Sequence, residues 1–589
     1  MPHRAHLFSL RIGHALRESC MKEPYGRRRF ARDLLAGITV GIIAIPLAMA
    51  LAIASGVAPQ FGLYSAIIGG FVIALCGGSR FSVSGPTAAF VVILYPIAER
   101  YGVAGLLLAS VMAGVLLVTL ASLRLGRFIE YIPESVTLGF TAGIAVVIAT
   151  LQVKDLLGLP VATMPEHFIE KIQVLAGALP ELAWPSLAVA AITFTVLLLW
   201  PRLKTPVPPH LPAVVAGALA ALWLNGAGLH IDTIGSRFSY LLADGSSGSG
   251  IPPVLPTFEW PWLQPGPAGQ AFTVSWQLVR DLLPAAFAIA MLGAIESLLC
   301  AVVLDGMSGK RHSANSELLG QGIGNIVAPF FGGITATAAI ARSAANFKAG
   351  AQSPVAAMIH ALVVLLGLVV LAPLLSYLPM AAMAALLVMV AWNMSEAPKA
   401  VHLLKTAPRG DLWVFFTCFS LTVMFDMVIA ITTGILLAAV LFMKEVAEMT
   451  RVHDISDNRR LVGMELPPDW CVFKISGPLF FAAADRIFGE LAGLIHNKKG
   501  IVLNMEGVSI MDAGGLSAFT KLIAKCQRDN CRIVVADLQF QPLRTLARAG
   551  VKPIDGLLSF SPTLAEAVEE VSRSSESLEV KRHPVGSTV

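Results

Sequence analysis

RFSVSGPTAA, Arg80–Ala89, decides how this chain folds, and GGITATAA, Gly332–Ala339, is its downstream counterpart. Each is a short extended run of small residues and hydroxyls that opens a short apolar segment. Pro86 suits the first turn of a helix, where its missing N–H costs nothing. A helix that begins inside a membrane leaves its first N–H groups without backbone partners, and its positive dipole end points at the space before it. Two such ends facing one another make a positive site with no buried lysine. Paired interrupted segments at corresponding places in two halves of a chain point to a midplane site in an inverted repeat. A plainer reading exists, because Gly, Ala and Thr are ordinary helix-packing residues in membranes. The pairing favours the site.

Outward from these segments the sequence is that of a membrane protein. Of 589 residues, 56% are hydrophobic and 14% charged, where a soluble domain carries about 25% charge. Mean hydropathy is +0.72. No Asp, Glu, Lys or Arg occurs from Leu34 to Ser79 or from Ala349 to Ser395, and each gap has room for two crossings of about 20 residues. Barrel strands would alternate polar and apolar residues, and no such alternation is present, so the spans are helices. They read as 34–54, 61–77, 86–98, 103–123, 134–153, 184–200 and 210–226, then 283–304, 318–331, 336–346, 353–375, 379–396, 411–426 and 427–444. That is fourteen spans in two sets of seven.

The expected division is a cytoplasmic N-terminal segment 1–32, a first membrane repeat 33–226, a periplasmic loop 227–278, a second repeat 279–450, a soluble domain 455–575 and a disordered tail 576–589. Eight Arg and Lys in residues 1–32 place the N-terminus inside. They lead straight into a span, which disfavours a nucleic-acid role. The loop 227–278 has Arg237 as its one Arg or Lys, while Lys310, Arg311, Lys399, Lys405 and Arg409 mark inside loops. No cleavable signal peptide is expected, since the first apolar run starts after residue 33. In the soluble part, CVFKI (Cys471–Ile475), IVLN (Ile501–Asn504) and RIVV (Arg532–Val535) read as strands, with helices near 482–496, 513–528 and 562–572. The seven Cys form no CxxC pair, so no metal or other cofactor is indicated. No Gly-x-x-x-x-Gly-Lys-Ser/Thr loop supports ATP-driven pumping, and no catalytic cluster suggests an enzyme.

Glu296 lies mid-span in MLGAIESLLC, Met291–Cys300. A carboxyl there costs about 2.5–3.5 kcal/mol or more unless it faces a cavity or a partner. Its functional reading is a proton- or cation-coupling group beside a substrate; its plain reading is a hydrogen bond between helices. Arg342, in ARSAAN (Ala341–Asn346), could hold a carboxylate by a bidentate contact or snorkel to the interface. Thr87, Thr335 and Thr337 can add hydroxyl donors. Pro46 bends the first span, and QFGLY, Gln60–Tyr64, opens the next, which makes Pro46 and Tyr64 candidates for the pocket wall. Asp426 reads as a turn cap and His360 as a packed side chain.

At these residues the sequence resembles the sulfate permease family of anion transporters. The signs are Gly37–Val40 with Pro46, Gln60–Tyr64, Ser84–Thr87, Glu296, and Ala341–Ala344 with Asn346, within a resemblance over about residues 25–575. It implies a polytopic α-helical membrane protein, a seven-plus-seven inverted repeat with core and gate domains, a C-terminal cytoplasmic α/β STAS domain, and a homodimer in the lipid bilayer. It places a small anionic substrate at Gly85, Pro86, Thr87 and Ala88 and at Thr335, Ala336, Thr337 and Ala338, with Glu296 alongside. The stretches Ile42–Pro59, Gly77–Pro96, Ala294–Gly306 and Pro329–Asn346 look most similar to the family's bacterial C4-dicarboxylate uptake members. That implies proton-coupled uptake of succinate, fumarate or aspartate across the bacterial inner membrane, although other members move sulfate, bicarbonate or chloride. Related anti-sigma-factor antagonists have a phosphorylatable Ser after an Asp; here Ala513 follows Asp512, so that phosphoswitch is not expected, and Asp512 is free to cap the next helix. A cytosolic partner for the STAS domain is expected by the same resemblance. A membrane-tethered STAS regulator would leave the paired segments and Glu296 without a role, and a passive channel needs no coupling carboxyl.

Overall fold

The computed structural model describes residues 10–582 apart from 127–130, 162, 166, 204, 206, 242–245, 267–269, 271, 426 and 496–497. Asp426 therefore lies outside the described residues. The charge-poor runs form helices because a bilayer gives the backbone no other hydrogen-bonding partner. They are α1 (Arg27–Ala54), α2 (Pro59–Cys76), α3 (Ala88–Ser122), α4 (Glu134–Leu157), α5 (Trp184–Leu199) and α6 (His210–Gly226), then α7 (Trp276–Ser308), α8 (Ala314–Val327), α9 (Ile340–Lys348), α10 (Val355–Leu375), α11 (Met380–Met394), α12 (Arg409–Met424) and α13 (Met427–Met449). Gly102, at φ 70°, breaks α3 into two spans joined by a tight bend. With that break the helices supply the seven-plus-seven arrangement. Large apolar side chains such as Leu219, Leu366, Val370 and Phe442 are exposed on their outer faces, as a lipid solvent requires.

The helices sort into two packed sets within the first unit of the chain. In one, α1 packs on α10, and α3 packs on α7 and α8. In the other, α4 packs on α11 and α12, and α5 on α6. Glycines allow the closest approaches: a Cβ on Gly114 of α3 would stand 2.8 Å from the carbonyl of Gly322 on α8, and the reverse is equally true. The two interrupted segments meet in the first set. β1 (Ser84–Gly85) pairs antiparallel with β2 (Thr337–Ala338), Ser84 opposite Ala338 and Gly85 opposite Thr337. Two amphipathic helices not expected from the sequence, Phe168–Ala178 and Ala397–Thr406, lie between spans.

The second unit, from Leu436 onward, has its own core. Its sheet runs β3 (Arg451–Asp454), β4 (Trp470–Ser476), β5 (Gly500–Gly507), β6 (Arg532–Ala536), β7 (Leu558–Ser561), with β3 antiparallel and the rest parallel. Alternation sends Phe473, Leu503 and Val535 to one face, under α14 (Phe481–Leu494) and α15 (Ala513–Arg528). Val472, Val502 and Val534 face the other side, under α16 (Leu564–Arg582). Asp512 caps α15 by accepting the Gly515 N–H at 2.8 Å. Two expectations shift. β3 begins ahead of residue 455, because its backbone pairs with β4. α16 continues past residue 576 to Arg582, in a Glu-, Ser- and Arg-rich stretch whose Arg573–Glu569 pair one turn apart supports a helix; 583–589 lie outside the described residues.

Candidate functional site

A cavity of about 1650 Å³ lies between the two helix sets of the first unit. At its heart are Pro86, Thr87 and Ala88 from the first interrupted segment, Ala338 and Arg342 from the second, and Glu296 from α7. It runs past Leu299, Val303 and Ala345 to Arg311, Lys348 and Lys399, which follow or end α7, α9 and α11. Leu138 and Thr141 of α4 and Asn393 of α11 form the facing wall.

Local backbone explains the polar centre. Thr87 is extended, at φ −125° and ψ 156°, in the cap position of α3, yet its side chain does not cap the helix. Its hydroxyl instead donates to Glu296 Oε2 at 2.9 Å. Ala339 holds the same position before α9 and has no side-chain oxygen to offer. Both helices thus begin with no side-chain cap at the cavity, and their first N–H groups and positive dipole ends are left for a ligand. Arg342, only 3% exposed, donates from Nη2 to the carbonyl of Pro86 at 2.7 Å. Its Nε and Nη1 are buried without a hydrogen-bond partner. A buried guanidinium with unmet donors is costly unless something else satisfies it.

The expected residues divide. Pro86, Thr87, Ala88, Ala338, Glu296 and Arg342 share the cavity wall. Gly85 lies behind it, where a Cβ would meet Arg342 Nη1 at 2.8 Å. The hydroxyls of Thr335 and Thr337, expected as donors to a ligand, are engaged by the protein: Thr335 bonds Ser110 Oγ at 2.6 Å, and Thr337 donates to the Gly293 carbonyl at 3.1 Å. Ala336 is gripped through its backbone by Asn325. Pro46 is buried within α1, and Tyr64 packs edge-on against Phe61, 6.4 Å between ring centroids; neither lines the cavity. His360 is buried, as expected of a packed side chain, although both its ring nitrogens lack partners.

The sequence reading missed a polar ladder on α8. Glu317 Oε2 accepts the N–H groups of Gly78 and Ser79, both at 2.9 Å. Gln321 donates to Ser84 Oγ at 3.2 Å and to Glu317 Oε1 at 3.1 Å. Asn325 accepts the N–H of Ala336 and donates to its carbonyl, both at 2.8 Å. From α9, Ser343 accepts the Val83 N–H at 2.9 Å, and Asn346 donates to the Phe81 carbonyl at 3.0 Å. One helix face, read at i, i+4 and i+8, therefore sets both interrupted segments at once. That spacing of Glu, Gln and Asn inside an apolar region was the available signal.

Comparison with known proteins adds the following. Residues 30–418 match the model of the sulfate permease family, and residues 462–567 that of the STAS domain. The chain is 39% identical to the putative sulfate transporter YvdB of Bacillus subtilis, over 90% of this chain and 95% of the relative. It is 28% identical to the bicarbonate transporter BicA of Picosynechococcus, over 80% of this chain and 82% of the relative. Among solved structures, the transmembrane domain of a cyanobacterial BicA superposes with a TM-score of 0.58 at 26% identity, covering 70% of this chain and 98% of that one. Murine Slc26a9, an anion transporter solved in the inward-facing state, shares the fold with a TM-score of 0.80 at 19% identity, covering 97% of this chain and 95% of that one.

Proposed function

The chain belongs to the sulfate permease family, and from that premise we propose that this anion transporter is a secondary active, proton-coupled importer of C4-dicarboxylates such as succinate, fumarate and aspartate. The observation that carries the reading is the buried Arg342, with two unmet donors, on the same wall as Glu296. The anion sits before the N-termini of α3 and α9, near Pro86, Ala88 and Ala338, with its charge toward Arg342. Glu296 is the coupling group, sharing the coupled proton with the bound substrate. Rocking of the α1–α3 and α7–α10 core against the α4–α6 and α11–α13 gate exposes the site to each face in turn. With both termini cytoplasmic in a bacterial inner membrane, the cavity opens inward, toward Arg311 and Lys348. The protein works as a homodimer whose STAS domain meets a cytosolic partner.

A second reading has support in the relatives named for bicarbonate and sulfate transport: the same pocket would hold a smaller oxyanion. Uptake of radiolabelled succinate into proteoliposomes, with and without an inward proton gradient, separates the two. Gradient-stimulated uptake that fumarate suppresses and sulfate does not is the expected result. If folded protein takes up no succinate and bicarbonate or sulfate enters instead, the dicarboxylate reading is wrong.

A further inference from the structure

The cavity wall presents a cation and a carboxylate as neighbours. Arg342 is bonded to Pro86 and Glu296 to Thr87, and consecutive Cα atoms are about 3.8 Å apart. Thr87 is the hydrogen-bond partner of Glu296 among the described residues, and it binds Oε2. Ile43, Leu47, Leu51 and Ile295 add apolar surface to the same cavity. A ligand there meets donors at Arg342 and the two helix ends, and a strong acceptor at Glu296.

A bare anion satisfies the donors but sets its own lone pairs against the Glu296 carboxylate. An anion that also carries an O–H satisfies both sides. We propose that this pairing makes the site selective for anions that bring their own hydrogen-bond donor, such as bicarbonate or a dicarboxylic acid holding one proton, over aprotic anions of the same size. The negative oxygens meet Arg342 and the first-turn N–H groups, and the O–H donates to Glu296. No covalent bond changes; the coupled proton is the one shared between substrate and Glu296. This inference rests on the anion-site reading above and specifies what that site admits.

Bicarbonate and nitrate are both planar trigonal monoanions with three oxygens, and only bicarbonate carries a proton on one of them, so the pair isolates the effect. The full chain in lipid nanodiscs is heated at increasing concentrations of each anion, in buffer where bicarbonate predominates, because a ligand that binds the folded state raises the unfolding midpoint. Bicarbonate is expected to reach half its effect at a concentration about tenfold or more below nitrate, since sites built to hydrogen-bond a substrate group reject analogues that lack it. Hydrogen succinate against its monomethyl ester, at a pH where succinate holds one proton, repeats the comparison for the larger class. Glu296→Gln should shrink both differences, and Arg342→Gln should remove the stabilisation by every anion. Nitrate matching bicarbonate on wild-type protein, with both effects dependent on Arg342, overturns the donor rule and leaves the anion site standing. Stabilisation by no anion, or stabilisation that survives Arg342→Gln, overturns the site itself and this inference with it.

Discussion

Thr87 joins the two halves of the candidate site at the level of single atoms. Its backbone follows Pro86, whose carbonyl holds Arg342, and its hydroxyl holds Glu296 at 2.9 Å. Thr87→Val keeps the β-branched shape that the extended backbone prefers and deletes only the hydroxyl. A hydrogen bond to a charged group contributes about 1.5–3 kcal/mol, so uptake should show a KM or proton dependence altered by about 10- to 100-fold. Measuring uptake against both substrate concentration and proton gradient checks this; unchanged behaviour in both would mean that the Thr87–Glu296 bond has no part in transport. Glu296, Arg342 and Thr87 were legible in the sequence because each interrupts an apolar run that tolerates few polar groups. Thr335 and Thr337 were legible as hydroxyls but not as to direction. Whether they face a ligand or bond Ser110 and the Gly293 carbonyl depends on packing across α3 and α7, which local sequence does not encode.

α8 shows the same limit for whole elements. Charge gaps found the spans, and the gap from Leu318 to Ala341 starts one residue after Glu317. Counting charges alone therefore hid Gln321 and Asn325, the two uncharged members of the ladder. Their spacing matters because side chains four apart stack along one face, and that face touches both interrupted segments. Asn325 is the most exacting member, since it alone satisfies both backbone groups of Ala336. Asn325→Leu keeps the outline of a side chain branched at Cγ and leaves a buried N–H and a buried carbonyl unmet, each costing about 1–3 kcal/mol. The variant should unfold at a lower temperature and transport poorly, and Asn325→Gln should not rescue it, because the longer side chain misplaces both bonds. An Asn325→Leu protein with wild-type unfolding and uptake would remove α8 from the account of how the site is set. The edge strands β3 and β7 escaped the reading for a related reason: four residues give too little periodicity to separate a strand from a loop.

For the whole molecule, the decisive fact is where the cavity residues fall. All the residues that line it lie within 39–399, inside the first unit, and the second unit closes its own core around the β3–β7 sheet. In the second unit Ala513 follows Asp512 and offers no hydroxyl for a phosphoswitch. We propose that this unit acts in transport through assembly or a bound partner, while the first unit makes the ligand contacts. A chain ended at residue 450, ahead of β3, tests this division without cutting a strand from its sheet. The truncated protein in nanodiscs should keep its anion-dependent rise in unfolding temperature, with a half-maximal concentration within about threefold of the full chain, since every residue that lines the cavity remains in it and stabilisation by a ligand follows its affinity for the folded state. Its uptake rate, or its fraction as dimer in size-exclusion chromatography, should fall. Loss of anion stabilisation in a truncated protein that still unfolds cooperatively would show instead that the second unit holds the transport helices in their binding arrangement, and the site would then belong to the whole chain rather than to its first unit.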